Sequence, residues 1–101
     1  MINNTDMINV VMYTLKSINV NDKVSFKTFK KDRKVEIVKL SKTYNIIEDG
    51  FEKKKFLEIE YKEVKKILKE LQKKEFPRSN KILYKIIRSN KGIWKGEWYD
   101  N

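Results

Sequence analysis

The chain changes its apolar period sharply near residue 60, and that change limits the possible folds more than any other feature. Before it, Val24, Phe26 and Thr28 alternate with Lys23, Ser25 and Lys27, the two-residue repeat of a strand with one buried face. After it, Tyr61, Val64, Leu68 and Leu71 follow a 3-4-3 spacing with Ile67 beside them, an apolar stripe on a helix over residues 60–75. Pro77 stops that helix just beyond Phe76, because it has no amide proton and its ring crowds the preceding turn. Elements apolar on one side bury that side against each other. The expected fold is a single α+β domain over residues 1–101, an antiparallel sheet packed against one or two helices.

The other elements follow from shorter signals. Asn4-Thr5-Asp6 offers capping side chains before Ile8, Val11, Met12, Leu15 and Ile18, whose spacing predicts a first helix. Residues 19–22 read as a loop, Lys30-Lys31-Asp32 as a turn, and Val35, Ile37, Val38 and Leu40 as a second strand. Asp49-Gly50 between residues 43–48 and 51–59 is the strongest hairpin signal. A two-residue loop there would place Tyr44 opposite Lys55 and Ile46 opposite Lys53. Beyond the Arg78-Ser79-Asn80 loop, residues 81–88 and 93–99 read as strands joined by Ser89-Asn90-Lys91-Gly92. The expected order is α-β-β-β-β-α-β-β, without internal repeats.

Charge is distributed unevenly. Residues 1–22 carry a net −1, residues 23–95 a net +13, and the last six residues a net −2. A basic body of this kind suits a polyanionic partner. Only Arg33, Arg78 and Arg88 are arginine among 24 basic residues, which argues against bidentate base or phosphate recognition as the main mode. Abundant Lys, Ile and Asn with no Ala also match AT-rich codon usage, so composition contributes to the charge. The chain has no His and no Cys, removing the commonest acid–base group and all thiolate chemistry. No apolar run reaches membrane-span length and the start lacks a signal-peptide pattern. A cytoplasmic protein without cofactor or metal, and not an enzyme, is expected.

Four constellations are candidates for binding. Lys62, Lys66, Lys69 and Lys73 form a second stripe on the residue 60–75 helix, able to track phosphates. The plainer reading is a solvated face balanced by Glu63 and Glu70. Lys53, Lys54 and Lys55 lie between Phe51 and Phe56; with Tyr44 and Phe51 on the same face they would combine stacking with charge. Those lysines also suit a protected sheet edge. Trp94 and Trp98, four apart on a strand, would share a face as an aromatic platform or complete a small core. Arg78, with Ser79 and Asn80, is a phosphate-binding candidate in a segment that also simply ends the helix.

Catalytic patterns are weak. Glu52-Lys53-Lys54 near Asp49 matches a short nuclease-like pattern, but Glu60-Tyr61-Lys62 and Glu63-Val64-Lys65 match it too. In a chain that is 38% charged such matches arise by chance. No glycine-rich phosphate loop exists, since Gly50, Gly92 and Gly96 are the only glycines.

Four basic strands followed by an amphipathic helix, with Lys55-Phe56-Leu57-Glu58-Ile59 just before it, loosely resemble the single-strand-binding domains of positive-cofactor transcriptional coactivators. The resemblance spans residues 23–75 and is one of element order, lacking that family's glycine-containing segment before the helix. It implies a nucleic-acid-binding sheet and transfers no site residue. The expected function is nucleic-acid binding, DNA or RNA, mainly through phosphate contacts with low sequence specificity. The alternative is a protein-interaction module, such as a phage- or plasmid-encoded inhibitor or adaptor docking on an acidic or nucleic-acid-binding protein. A homodimer is compatible with both.

Overall fold

The computed structural model describes residues 1–30, 33–77, 79–90 and 93–99, with Asn90 and residues 93–99 described by backbone alone. The expected α+β order holds, with one addition in front. A two-residue strand, β1 (Ile2–Asn3), and a 3-10 turn precede helix α1 (Met7–Ser17). Strands β2 (Lys23–Lys27), β3 (Lys34–Lys39), β4 (Tyr44–Asp49) and β5 (Lys53–Ile59) follow, then helix α2 (Tyr61–Glu75). Strands β6 (Lys81–Asn90) and β7 (Ile93–Tyr99) complete the chain.

All strands join one antiparallel sheet in the order β6-β2-β3-β4-β5, with β1 and β7 both pairing on the free side of β6. After α2 the chain therefore crosses to the far side of the sheet, where β6 lies along β2 with Phe26 opposite Tyr84. Pairing between β6 and β7 reaches Asn90 opposite Ile93, while Lys91 and Gly92 of the expected turn lie outside the described residues. Lys31 and Asp32 of the earlier turn also lie outside them.

Alternation decides which face the helices cover. Val24 and Phe26, Val35 and Ile37, Tyr44 and Ile46, and Ile82 and Tyr84 are buried on one face. Met7, Val11 and Leu15 of α1 and Val64, Leu68 and Leu71 of α2 close over them. Phe76, just past α2, is fully buried with its ring 6.0 Å from that of Phe26. No helix among the described residues is long and apolar enough to cross a membrane.

Two local expectations are corrected. Asn4 does not cap α1. Its side-chain amide donates to the carbonyls of Phe76 (2.8 Å) and Ser79 (2.7 Å), joining the N-terminus to the exit of α2. The hairpin loop has three residues, not two: Asp49 pairs with Lys53, Ile47 with Lys55 and Ile46 with Phe56. A bulge then brings Tyr44 opposite Ile59, with Glu58 at φ 54° and its amide donating to Asn45 Oδ1 at 2.9 Å. An odd shift in register exchanges the two faces of a strand. Lys53 and Lys55 thus lie on the face away from Tyr44, contrary to the expected shared surface.

Asp22 fastens the other end of the sheet. Its buried carboxylate accepts from the amides of Ser89 (2.8 Å) and Asn19 (2.9 Å) and faces Arg88 at 3.3 Å. Burial works against its charge, but these donors outweigh it and hold the carboxyl below its ordinary value of 3.8. A depressed value stabilises the fold above the unfolded pKa, and that contribution is lost as pH falls through the folded one. Asp22→Asn is expected to cost about 1–3 kcal/mol at neutral pH, read by denaturant unfolding, with the deficit shrinking in acid. Leu68→Ala, which empties a fully buried site between α2 and the sheet, is expected to cost about 2–5 kcal/mol at any pH in the same measurement.

Candidate nucleic-acid interface

Because α1 and α2 cover one face of the sheet, the register assigns the opposite face to the alternate residues. Across it run Lys23 and Lys27 of β2, Lys34 and Glu36 of β3, Ile47 and Asp49 of β4, Lys53 and Lys55 of β5, and Lys85 of β6. Six lysines thus meet two carboxylates. Glu36 is shared by Lys23 (3.8 Å) and Lys34 (4.0 Å), while Lys53 and Lys55 are exposed. Val38, Ile47 and the 60%-exposed Leu57 add apolar surface among these charges.

One row of that face, Lys27–Lys34–Asp49–Lys53, lies at the end of the sheet where two exposed aromatic residues are found. Phe29 follows β2 and is 54% exposed; Phe51 occupies the β4–β5 loop and is 67% exposed. Between the strands that carry them, the Arg33 guanidinium sits 5.8 Å from the Phe51 ring centre, a cation–π distance. Arg33 also donates to the carbonyls of Lys74 (3.3 Å) and Glu75 (3.4 Å), meeting the acceptor end of α2. A cleft of about 580 Å³ opens at this end, lined by Phe29, Lys30, Arg33, Ser79, Asn80 and Lys81 among others.

Beneath the rim lies a buried carboxyl pair. The side chains of Glu48 and Glu75 are both 0% exposed. Glu75 accepts the Phe51 amide at 2.8 Å and the Glu52 amide at 3.4 Å, and Arg33 Nε stands 3.9 Å from it. Gly50 leaves room for this: a Cβ there would fall 2.9 Å from Glu75 Cδ and 3.1 Å from Arg33 Cβ. Burial, with the hydrogen bond shared with Glu75, pushes the Glu48 carboxyl above its ordinary value of 4.5. Lys74, 3.0 Å from Glu48 Oε2, opposes that rise. Burial acts in the same sense on Glu75, but the Glu48 hydrogen bond, the two amides and Arg33 outweigh it and hold it low. The pair is therefore driven apart, Glu48 upward and Glu75 downward, since two buried carboxylates in contact cannot both ionise cheaply. Lys74 also bridges to Glu52 at 2.5 Å, closing the hub over the loop.

The candidate residues from the sequence divide unevenly over this architecture. Phe51, Lys53 and Lys55 fall at the basic end and its adjoining face. Lys54 points to the other side of β5, where its ammonium lies 3.2 Å from Glu52. Tyr44 is withdrawn from the surface: it is buried, its ring 5.9 Å from that of Tyr61. Lys62, Lys66, Lys69 and Lys73 are exposed on the side of α2 turned away from Val64, Leu68 and Leu71. They therefore lie across the domain from Lys53 and Lys55. Arg78 lies outside the described residues, as do the side chains of Trp94 and Trp98, whose backbones pair with Ser89 and Lys85.

Phe29, Lys30, Arg33, Lys34 and Lys81 were missed by the sequence reading. A signal for the first two was present, since Phe29-Lys30-Lys31 repeats the aromatic–basic interleaving of Phe51-Glu52-Lys53. Nothing local pointed to Arg33, whereas Lys81 ends the segment in which Arg78, Ser79 and Asn80 are phosphate-binding candidates. Among the described residues no three His, Cys, Asp or Glu side chains gather to hold a metal. No family model, curated protein or solved structure matches the chain.

A raised folded pKa stabilises below the unfolded value and loses that contribution as pH rises through the folded one. Deprotonating Glu48 places a second negative charge against Glu75 and weakens its hold on the loop. Hydrogen exchange at the Phe51 and Glu52 amides is expected to accelerate through that rise beyond the intrinsic pH dependence. Glu48→Gln, which keeps a neutral donor, should remove the excess. Matching profiles for the two proteins would refute the shared proton.

Proposed function

We propose that this is a non-enzymatic, cytoplasmic nucleic-acid-binding protein that grips phosphates with low sequence specificity, using the uncovered sheet face and its basic end. The observation that carries this reading is the gathering of Phe29, Phe51 and Arg33 beside the Lys27–Lys34–Asp49–Lys53 row, three lysines to one carboxylate. Stackable rings set among cations are what a sequence-tolerant nucleic-acid surface requires. A solvated surface accounts for lysines alone but gives no reason to leave two phenylalanines exposed at the same end. Lysine acts as a point charge on phosphate, and only three arginines are present in the chain, so affinity through charge is favoured over base readout.

The α2 stripe takes the lesser part in this reading. Its lysines alternate with Glu63 and Glu70 on the exposed side of the helix, and a short ligand on the sheet face does not reach them. Docking on an acidic protein is the second reading, favoured by the apolar Val38, Ile47 and Leu57 set among the same lysines.

Neutralising Lys53 and Lys55 together to Gln should weaken binding to labelled oligonucleotides and lower the salt slope by about 1.4, two phosphate contacts on a single strand. Neutralising Lys66 and Lys69 should leave that slope nearly unchanged. Fluorescence anisotropy over a salt series distinguishes them, and equal effects of the two pairs would reduce the interaction to net charge. Binding seen only at low salt, alike for every polymer, would favour the acidic-protein reading.

A further inference from the structure

The cleft at the basic end has a composition that the uncovered sheet face lacks. Its lining combines one exposed aromatic ring, Phe29, with three cationic side chains, Lys30, Arg33 and Lys81, and the neutral polar groups of Ser79 and Asn80. Among the described lining residues one carboxylate, Glu75, stands against these three positive charges, a net +2. That carboxylate is committed inward, to the Phe51 and Glu52 amides and to Arg33. Lys81 donates to the neutral Asn3 side chain, so its positive charge is not cancelled. Arg33 is held at the mouth of α2 by two carbonyls and is thereby oriented in advance.

Size and shape narrow the occupant. About 580 Å³ lies within the range of small-ligand sites, enough for one nucleotide and too little for a duplex. In a duplex both faces of each base are already stacked, so Phe29 has nothing to receive. In a single strand the base is free to leave its neighbours and lie on an aromatic ring while the backbone runs past cations. The Lys27–Lys34–Asp49–Lys53 row lies at this end of the sheet, and its three lysines give the adjoining phosphates a path onto the uncovered face.

We propose that this cleft seats one nucleotide of a single-stranded chain, with its base on Phe29 and its phosphate between Lys30 and Lys81. The proposal rests on the nucleic-acid reading above and deepens it by naming the strand form and the anchoring residue. DNA and RNA share the chemistry, and Ser79 and Asn80 supply hydroxyl and amide groups that could meet a ribose 2′-hydroxyl.

The test is an anisotropy titration at physiological salt with short labelled oligodeoxyuridylate, oligouridylate and a duplex of equal length. The intact chain should bind the single strands more tightly than the duplex, and the preferred single strand identifies the sugar. Phe29→Ala should weaken single-strand binding about fivefold or more, the loss of one stacked base, without changing duplex binding. Phe29→Trp should restore it, and Lys30→Glu should weaken it with a retained single-strand preference. Phe29 is more than half exposed, so thermal unfolding of these variants should match the parent chain. Single-strand binding that survives Phe29→Ala unchanged would overturn the cleft while leaving the broader reading intact. Duplex binding as tight as single-strand binding would do the same. Failure to bind any of the three polymers would overturn both.

Discussion

The contact on which the rest of the structure turns is the Glu75 carboxylate, buried at the last residue of α2 and reaching into the loop between β4 and β5. A buried charge is tolerated only where donors surround it. Here two loop amides, Arg33 and the Glu48 carboxyl perform that task. These groups come from three pieces of the fold: the β4–β5 loop, the residue before β3, and β4. The carboxylate therefore fixes the loop length, anchors the start of β3 through Arg33, and sets the end of α2 against both. Gly50 is required because that approach leaves no room for a side chain.

This hub explains where the exposed aromatic and basic groups go. A three-residue loop turns Lys53 and Lys55 to the face opposite Tyr44 and projects Phe51 from the loop toward Arg33. The helices occupy the other face, and their apolar stripes leave the α2 lysines facing outward there. A chain with net charge +10 thus divides its cations between two opposed surfaces. Only one of those surfaces has exposed phenylalanine at its border. The β5 edge carries three exposed lysines and a bulge at Glu58, devices that discourage another strand from adding there.

Most of the fold was legible because it follows from periodicity. The alternation of Val24, Phe26 and Thr28 and the 3-4-3 spacing through Leu71 gave the correct elements, since burial on one face needs no knowledge of what covers it. The site was legible only in part. Phe51, Lys53 and Lys55 were visible as an interleaved segment, but their face depended on a loop length that Asp49-Gly50 suggested wrongly. Local turn preference favours two residues there; a carboxylate 23 or more positions away in the chain favoured three. Tyr44 was assigned to the surface with them, but it shares the buried face of β4 with Ile46, and the odd register shift turned the lysines away from it.

The sequence by itself determined the class of fold, the two helices, the strand-rich middle and the excess of lysine over arginine. Each is written in spacing or composition that acts within a few residues. Tertiary structure alone decided that β6 returns beside β2, that Asn4 ties the N-terminus to the exit of α2, and that Phe29, Arg33 and Lys81 line one cleft. Those outcomes depend on satisfying buried polar groups across the whole domain. A buried carboxylate or amide is indifferent to sequence distance and responds only to which donors and acceptors the packed chain brings within reach.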